Sequence, residues 1–172
     1  TTGAQAHAIA SEPSGRWVYV ANGSSGISVL DAGTASKTDV IPVVVNGAAV
    51  SAGGGPTLNP QGLAVSIDGR YLFVSDNQDG GAVVVIEIAT KTAVANFALG
   101  PGWMPMGIAV HPDGQRAYFA FADGTGSGLD VVRVFDTIRM DPMATSIAVG
   151  ARPTGIAVTP DGAKAYVSNF LG

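Results

Sequence analysis

One passage recurs four times in the 172 residues with different lettering. It reads "AHAIASEPSGRWVYVAN" from Ala6, "PQGLAVSIDGRYLFVSDN" from Pro60, "PMGIAVHPDGQRAYFAFAD" from Pro105 and "PTGIAVTPDGAKAYVSN" from Pro153. Superposing Gly15, Gly69, Gly114 and Gly162 gives spacings of 54, 45 and 48 residues. A period of this size means that one supersecondary unit is repeated, each copy burying its apolar surface against its neighbours.

The second unit shows what is repeated. Leu63 to Ser66 reads as a first strand, Ile67-Asp68-Gly69 as a tight turn, and Tyr71 to Ser75, Ala82 to Ile88 and Ala93 to Leu99 as three further strands. Four short strands in about 45 residues make one propeller blade. Apolar residues fill nearly every strand position, so both faces of each small sheet need covering, as they do when blades pack face to face around an axis. The expected fold is all-β, an incomplete β-propeller of four-stranded antiparallel blades at residues 6–59, 60–104 and 105–152, with a half-blade at 153–172. Closing a ring takes about 4–8 blades, and a seven-bladed parent would need roughly 340 residues. The chain, which does not start with Met, is therefore expected to be an excerpt, the remaining blades coming from the same polypeptide or from another chain.

Small residues and aromatics alternate by strand. First strands carry Gly62-Leu63-Ala64-Val65, Gly107-Ile108-Ala109-Val110 and Gly155-Ile156-Ala157-Val158, as innermost strands must where blades crowd together. Second strands repeat an aromatic, at Tyr19, Phe73, Tyr118 and Tyr166. Recurrence in every unit points to packing between blades, where a large ring fills the gap that widens away from the axis.

Composition removes several functions. The net charge is −4 and basic residues are scattered singly, which gives no electrostatic footprint for nucleic acid or an anionic membrane. The apolar runs "VIPVVV" (Val40 to Val45) and "AVVVIEI" (Ala82 to Ile88) are far shorter than the ~20 residues of a membrane helix, so no membrane insertion is expected. With no Cys, disulfides, thiolate metal sites, c-type haem attachment and a cysteine nucleophile are excluded within these residues. The acidic stretches "DNQDGG" (Asp76 to Gly81) and "ADGTGSGLD" (Ala122 to Asp130) lack the spaced carboxylates of a calcium loop. No phosphate loop, dinucleotide fingerprint or HExxH occurs, and His7 has no evident nucleophile or acid beside it. No cofactor, metal or catalytic residue is predicted.

The unit "RPTGIAVTPDGAKAYVSN" resembles the repeat of the YVTN-type β-propellers. Tyr19-Val20-Ala21-Asn22 and Tyr166-Val167-Ser168-Asn169 match its tetrapeptide, and Phe73-Val74-Ser75-Asp76 matches loosely. The third unit departs from it with Tyr118-Phe119-Ala120-Phe121, and a Gly/Ala-rich insertion follows Val45. The repeat, the rim loops and the poverty of catalytic groups lead to the expectation of a non-catalytic scaffold with a protein partner, and the resemblance implies a place in the periplasm, on the cell surface or outside the cell. Similar propellers also include lactonase-like hydrolases and the large subunits of amine dehydrogenases, so half of such an enzyme is the alternative.

Loop lengths point to one working rim. First-to-second strand turns are tight, whereas the second-to-third and fourth-to-first connections are elaborated and fall together on the other rim. They include Asn46 to Asn59, Ser75 to Gly81, Gly100 to Met106 and Phe121 to Asp130. Function on such a frame concentrates in variable loops. The residue before each inner small position, His7, Gln61, Met106 or Thr154, is expected to ring the axial mouth, as contact surface or as solvated lining. Trp103 is either a rim anchor or buried under a neighbouring loop. The binding set expected from sequence is His7, Gln61, Asp76, Asn77, Asp79, Trp103 and Met106. His111 falls in a tight turn on the opposite rim, and Asp31, Glu87 and Asp136 are expected to cap turns after third strands.

Overall fold

The strands form where the repeat places them. The computed structural model describes residues 5–41, 59–77, 80–124 and 128–171. The first sheet holds β1 (Ala8–Ser11), β2 (Trp17–Ala21), β3 (Ile27–Asp31) and β4 (Ser36–Ile41). The second holds β5 (Pro60–Val65), β6 (Tyr71–Asp76), β7 (Ala82–Glu87) and β8 (Thr92–Ala98). The third holds β9 (Trp103–Val110), β10 (Arg116–Asp123), β11 (Val131–Asp136) and β12 (Asp141–Ala148), and the fourth is a hairpin of β13 (Pro153–Val158) and β14 (Ala165–Asn169). In every sheet the strands pair antiparallel with their neighbours in chain order. The architecture is an incomplete β-propeller of three blades and the inner half of a fourth.

The tight turns repeat atom for atom. Gly15, Gly69, Gly114 and Gly162 all have φ between 71 and 74°, a conformation that favours glycine. Each donates its N–H to the carbonyl three residues earlier, at 2.8–2.9 Å. Asp68, Asp113 and Asp161 each accept the N–H two residues on through Oδ1, a role that Ser14 takes in the first blade. After the third strands, Asp31 accepts from Gly33 and Thr34, and Asp136 from Ile138 and Arg139. Glu87 accepts from the Thr90 hydroxyl at 2.8 Å. These carboxylates are turn caps, as the sequence suggested.

The period-two alternation of β6 and β7 builds two cores. Leu72, Val74, Val84 and Ile86 point toward the first blade and pack with Tyr19, Ala21, Ile27 and Ile41. Phe73, Val83 and Val85 point toward the third and pack with Ile108, Phe119, Phe121 and Phe135. Phe73 meets Phe119 and Phe135 edge to face, with centroids 6.4 and 5.9 Å apart. Burying a ring of this size contributes about 3 kcal/mol. Register explains the recurring aromatics: Tyr19 lies opposite Ala10, Phe73 opposite Ala64, Tyr118 opposite Ala109 and Tyr166 opposite Ala157. The small inner residue leaves room for the ring, and the ring faces the following blade.

The third blade corrects one expectation. Its inner strand begins at Trp103, inside the segment read as a Gly100 to Met106 connection and ahead of the expected 104/105 division. A register shift between Phe119 and Phe121 lets Trp103, Met104 and Pro105 pair with Asp123, Ala122 and Phe121. Gly124 closes the extension by donating to the Gly102 carbonyl at 2.7 Å. Pro105 is tolerated because β9 is an edge strand.

Candidate functional site at the axial mouth

Close packing of the inner strands assembles this site. A Cβ placed on Gly62 would stand 2.1 Å from the Met106 carbonyl oxygen, and one on Gly107 would stand 2.8 Å from the Gly155 Cα. The Ser75 hydroxyl, fully buried, donates to that same Met106 carbonyl and ties the second blade to the third. With backbones this near, the residues leading into each inner strand and those at its start meet at the rim. They are Gln5 and His7, Asn59 and Gln61, Met104 and Met106, and Arg152 and Thr154, two per blade and separated by Ala6, Pro60, Pro105 and Pro153.

The expected residues divide. Gln61, Asn77 and Met106 come together and line one cavity of about 230 Å³, with Met104, Ala122, Arg152, Pro153, Thr154 and Phe170. Gln61 donates its amide to the Asn59 side chain at 3.2 Å, and the Asn77 N–H donates to the Asn59 carbonyl at 3.1 Å. His7 lies outside this cavity, at the first blade's share of the mouth. Its Nε2, Gln5 Oε1 and Asn59 Oδ1 all stand within 3.6–3.8 Å of the point where a Gly23 Cβ would lie. Asp79 and most of the Asn46 to Asn59 connection lie outside the described residues.

Two expected contact residues have other surroundings. Asp76 is fully buried, and its Oδ1 accepts the Asn59 N–H at 2.6 Å, which positions the chain where it enters β5. Trp103 is half-buried. It sits edge-on to Phe121 at 6.2 Å, beneath the Arg133 guanidinium at 4.8 Å, in the core between the second and third blades.

Arg152, Met104, Asn59 and Gln5 were missed from sequence. The signal was the X-Pro-X pattern of Asn59-Pro60-Gln61, Met104-Pro105-Met106 and Arg152-Pro153-Thr154, whose first members share the mouth with the last. The Arg152 guanidinium lies over the Phe170 ring at 5.4 Å, and its carbonyl accepts the Phe170 N–H at 2.8 Å. Its φ of 52° is left-handed, but Gln5, at the same place in the first blade, has φ of 64°. Asn59 and Met104, at the same place in the second and third blades, do not adopt it.

The opposite rim is built for structure. His111 Nε2 lies 3.1 Å from the Gly162 carbonyl, so the third blade's turn leans on the fourth's. Partial burial works against ionisation of Asp113, but hydrogen bonds from Arg116, the Gln115 N–H and His111 outweigh it and lower its pKa to about 2. Among the described residues, no group of three His, Cys, Asp or Glu side chains could hold a metal ion, and no helix is long and apolar enough to cross a membrane.

Solved structures with the same fold include a chain of Kuenenia stuttgartiensis hydrazine synthase, with TM-score 0.78 and 25% identity over 99% of this chain. U3-55K matches with TM-score 0.69 and 16% identity over 91%, and the RRP9 WD40 repeats with TM-score 0.69 and 14% over 98%. These neighbours establish the class: the chain is β-propeller in fold. It spans 44, 43 and 52% of those three chains, about half their length. No protein-family model and no curated protein sequence matches it.

Proposed function

We propose that this chain is part of a non-catalytic propeller that binds a protein at the rim where its inner strands begin. One observation carries the reading. The frame positions repeat from blade to blade, whereas the paired mouth positions hold amides and a histidine, then methionines, then Arg152 and Thr154. Packing alone would keep equivalent positions alike. A surface whose chemistry changes around the axis is suited to recognising one asymmetric partner.

The Tyr-Val-x-Asn repeat supports placing the chain with the YVTN-type propellers, and with them outside the cytoplasm, in the periplasm, at the cell surface or secreted. A second reading, a portion of an enzyme's propeller subunit, is favoured by the 25% identity with hydrazine synthase across 99% of this chain. The test is retention of a protein by the intact propeller and by its Gln61→Ala/Thr154→Ala and Asp113→Asn variants. Loss in the mouth variant alone, with unchanged melting, supports the reading. Equal retention by all three forms overturns it.

A further inference from the structure

We propose that the cavity of about 230 Å³ at the axial mouth is a carboxylate pocket, in which Arg152 receives an Asp or Glu side chain of a protein partner. This deepens the protein-binding reading and rests on it. The argument starts from how the chain uses its arginines. Arg16, Arg70, Arg116 and Arg139 are paired with Asp31, Glu87, Asp113 and Asp136, all at turns of the opposite rim. Arg133 covers Trp103 and Phe121. Arg152 has no carboxylate within ion-pair distance among the described residues, and no acidic side chain lines the cavity it borders.

The cavity's other groups suit the same ligand. The Arg152 guanidinium carbon lies over the Phe170 ring, and a guanidinium can grip a carboxylate through two parallel hydrogen bonds. Gln61 keeps a second amide hydrogen beyond the one it gives Asn59, and Asn77 adds a neutral amide at the cavity wall. Met106 and Phe170 offer apolar surface to the aliphatic stem behind the carboxylate. The volume suits one side chain, less than the roughly 300 Å³ at which small-molecule sites begin. Asp76, next to Asn77 in the chain, is fully buried, and its Oδ1 accepts the Asn59 N–H.

The experiment pans a phage-displayed random heptapeptide library against the immobilised intact propeller, then measures each enriched peptide by fluorescence anisotropy. Enriched peptides should carry Asp or Glu. Their affinity should fall tenfold or more in Arg152→Ala, less in Arg152→Lys, steeply with added salt, and not at all in Asp113→Asn. Peptides without acidic residues that still lose affinity in Gln61→Ala/Thr154→Ala would overturn the carboxylate assignment and leave the mouth as the binding surface. Acidic peptides indifferent to Arg152→Ala would likewise overturn the assignment. No enrichment, or peptides indifferent to every mouth variant, would overturn both.

Discussion

The hydroxyl of Ser75, buried in the second blade, donates to the backbone carbonyl of Met106 in the third. The hydrogen bond passes beside Gly62, where any side chain would strike the same carbonyl oxygen. Two substitutions probe this junction. Gly62→Ala should destabilise by about 2–3 kcal/mol, because backbone cannot yield as a flexible side chain would. Ser75→Ala should cost about 1–2 kcal/mol by leaving the carbonyl without its donor. Urea unfolding midpoints check both, and an unchanged midpoint for Gly62→Ala would show that the inner strands are not in contact.

Phe73 and Tyr166 occupy the same repeat position with opposite surroundings. Phe73 is fully buried against the third blade, whereas Tyr166 is 62% exposed on the face of the last hairpin. Phe73→Ala should therefore cost about 3–5 kcal/mol. Tyr166→Ala in this chain should stay within ~0.5 kcal/mol. Similar losses at both positions, measured by denaturant titration, would contradict the packing derived from register.

The two ends of the blade stack are complementary. Ile9 holds the place of Leu63 and Ile108, which are buried, yet is itself 69% exposed. The 172-residue chain alone should associate by seating one copy's Ile9 face on another's Tyr166 face. Light scattering should show concentration-dependent growth that Ile9→Glu and Tyr166→Glu each reduce. A monodisperse wild-type monomer would contradict this.

Asp113 should contribute to acid sensitivity through the third blade's turn. Asp113 has a folded pKa of about 2, below the 3.8 of an ordinary aspartate. The unfolded chain thus binds more protons between those values. The contribution of Asp113 is complete above about pH 5 and lost as pH falls toward 2. In Asp113→Asn, stability against pH should be flatter through this window and nearly parallel to wild type above it. Identical slopes from pH 5 to 2 would contradict the assignment.

Much of this fold was legible because the repeat imposes the same backbone demand four times. The turn glycines, the capping carboxylates and the alanine opposite each aromatic recur for one physical reason each. Trp103 was harder to read. Pro105 and the flanking Gly100 and Gly102 suggested a loop, and only the register shift at Phe119 and Phe121 shows how β10 reaches far enough to pair with Trp103. Asp76 looked like a loop acid because sequence does not reveal that Asn59 draws it inward. Gln61 and Met106 were found from their repeat positions, and Asn77 from the elaborated Ser75 to Gly81 connection. Arg152 was not, because its importance comes from meeting residues of two other blades.

The most direct test of the account places a photo-crosslinking amino acid in the intact propeller at Gln61, at Thr154, at Asp113 or at Asp161, one site at a time, and maps the products by mass spectrometry. Gln61 and Thr154 should join to a polypeptide partner, through peptides containing Asp or Glu, while Asp113 and Asp161 give no partner adduct. Adducts from the two turn positions, with none from Gln61 or Thr154, would contradict the assignment of the axial mouth as the binding surface.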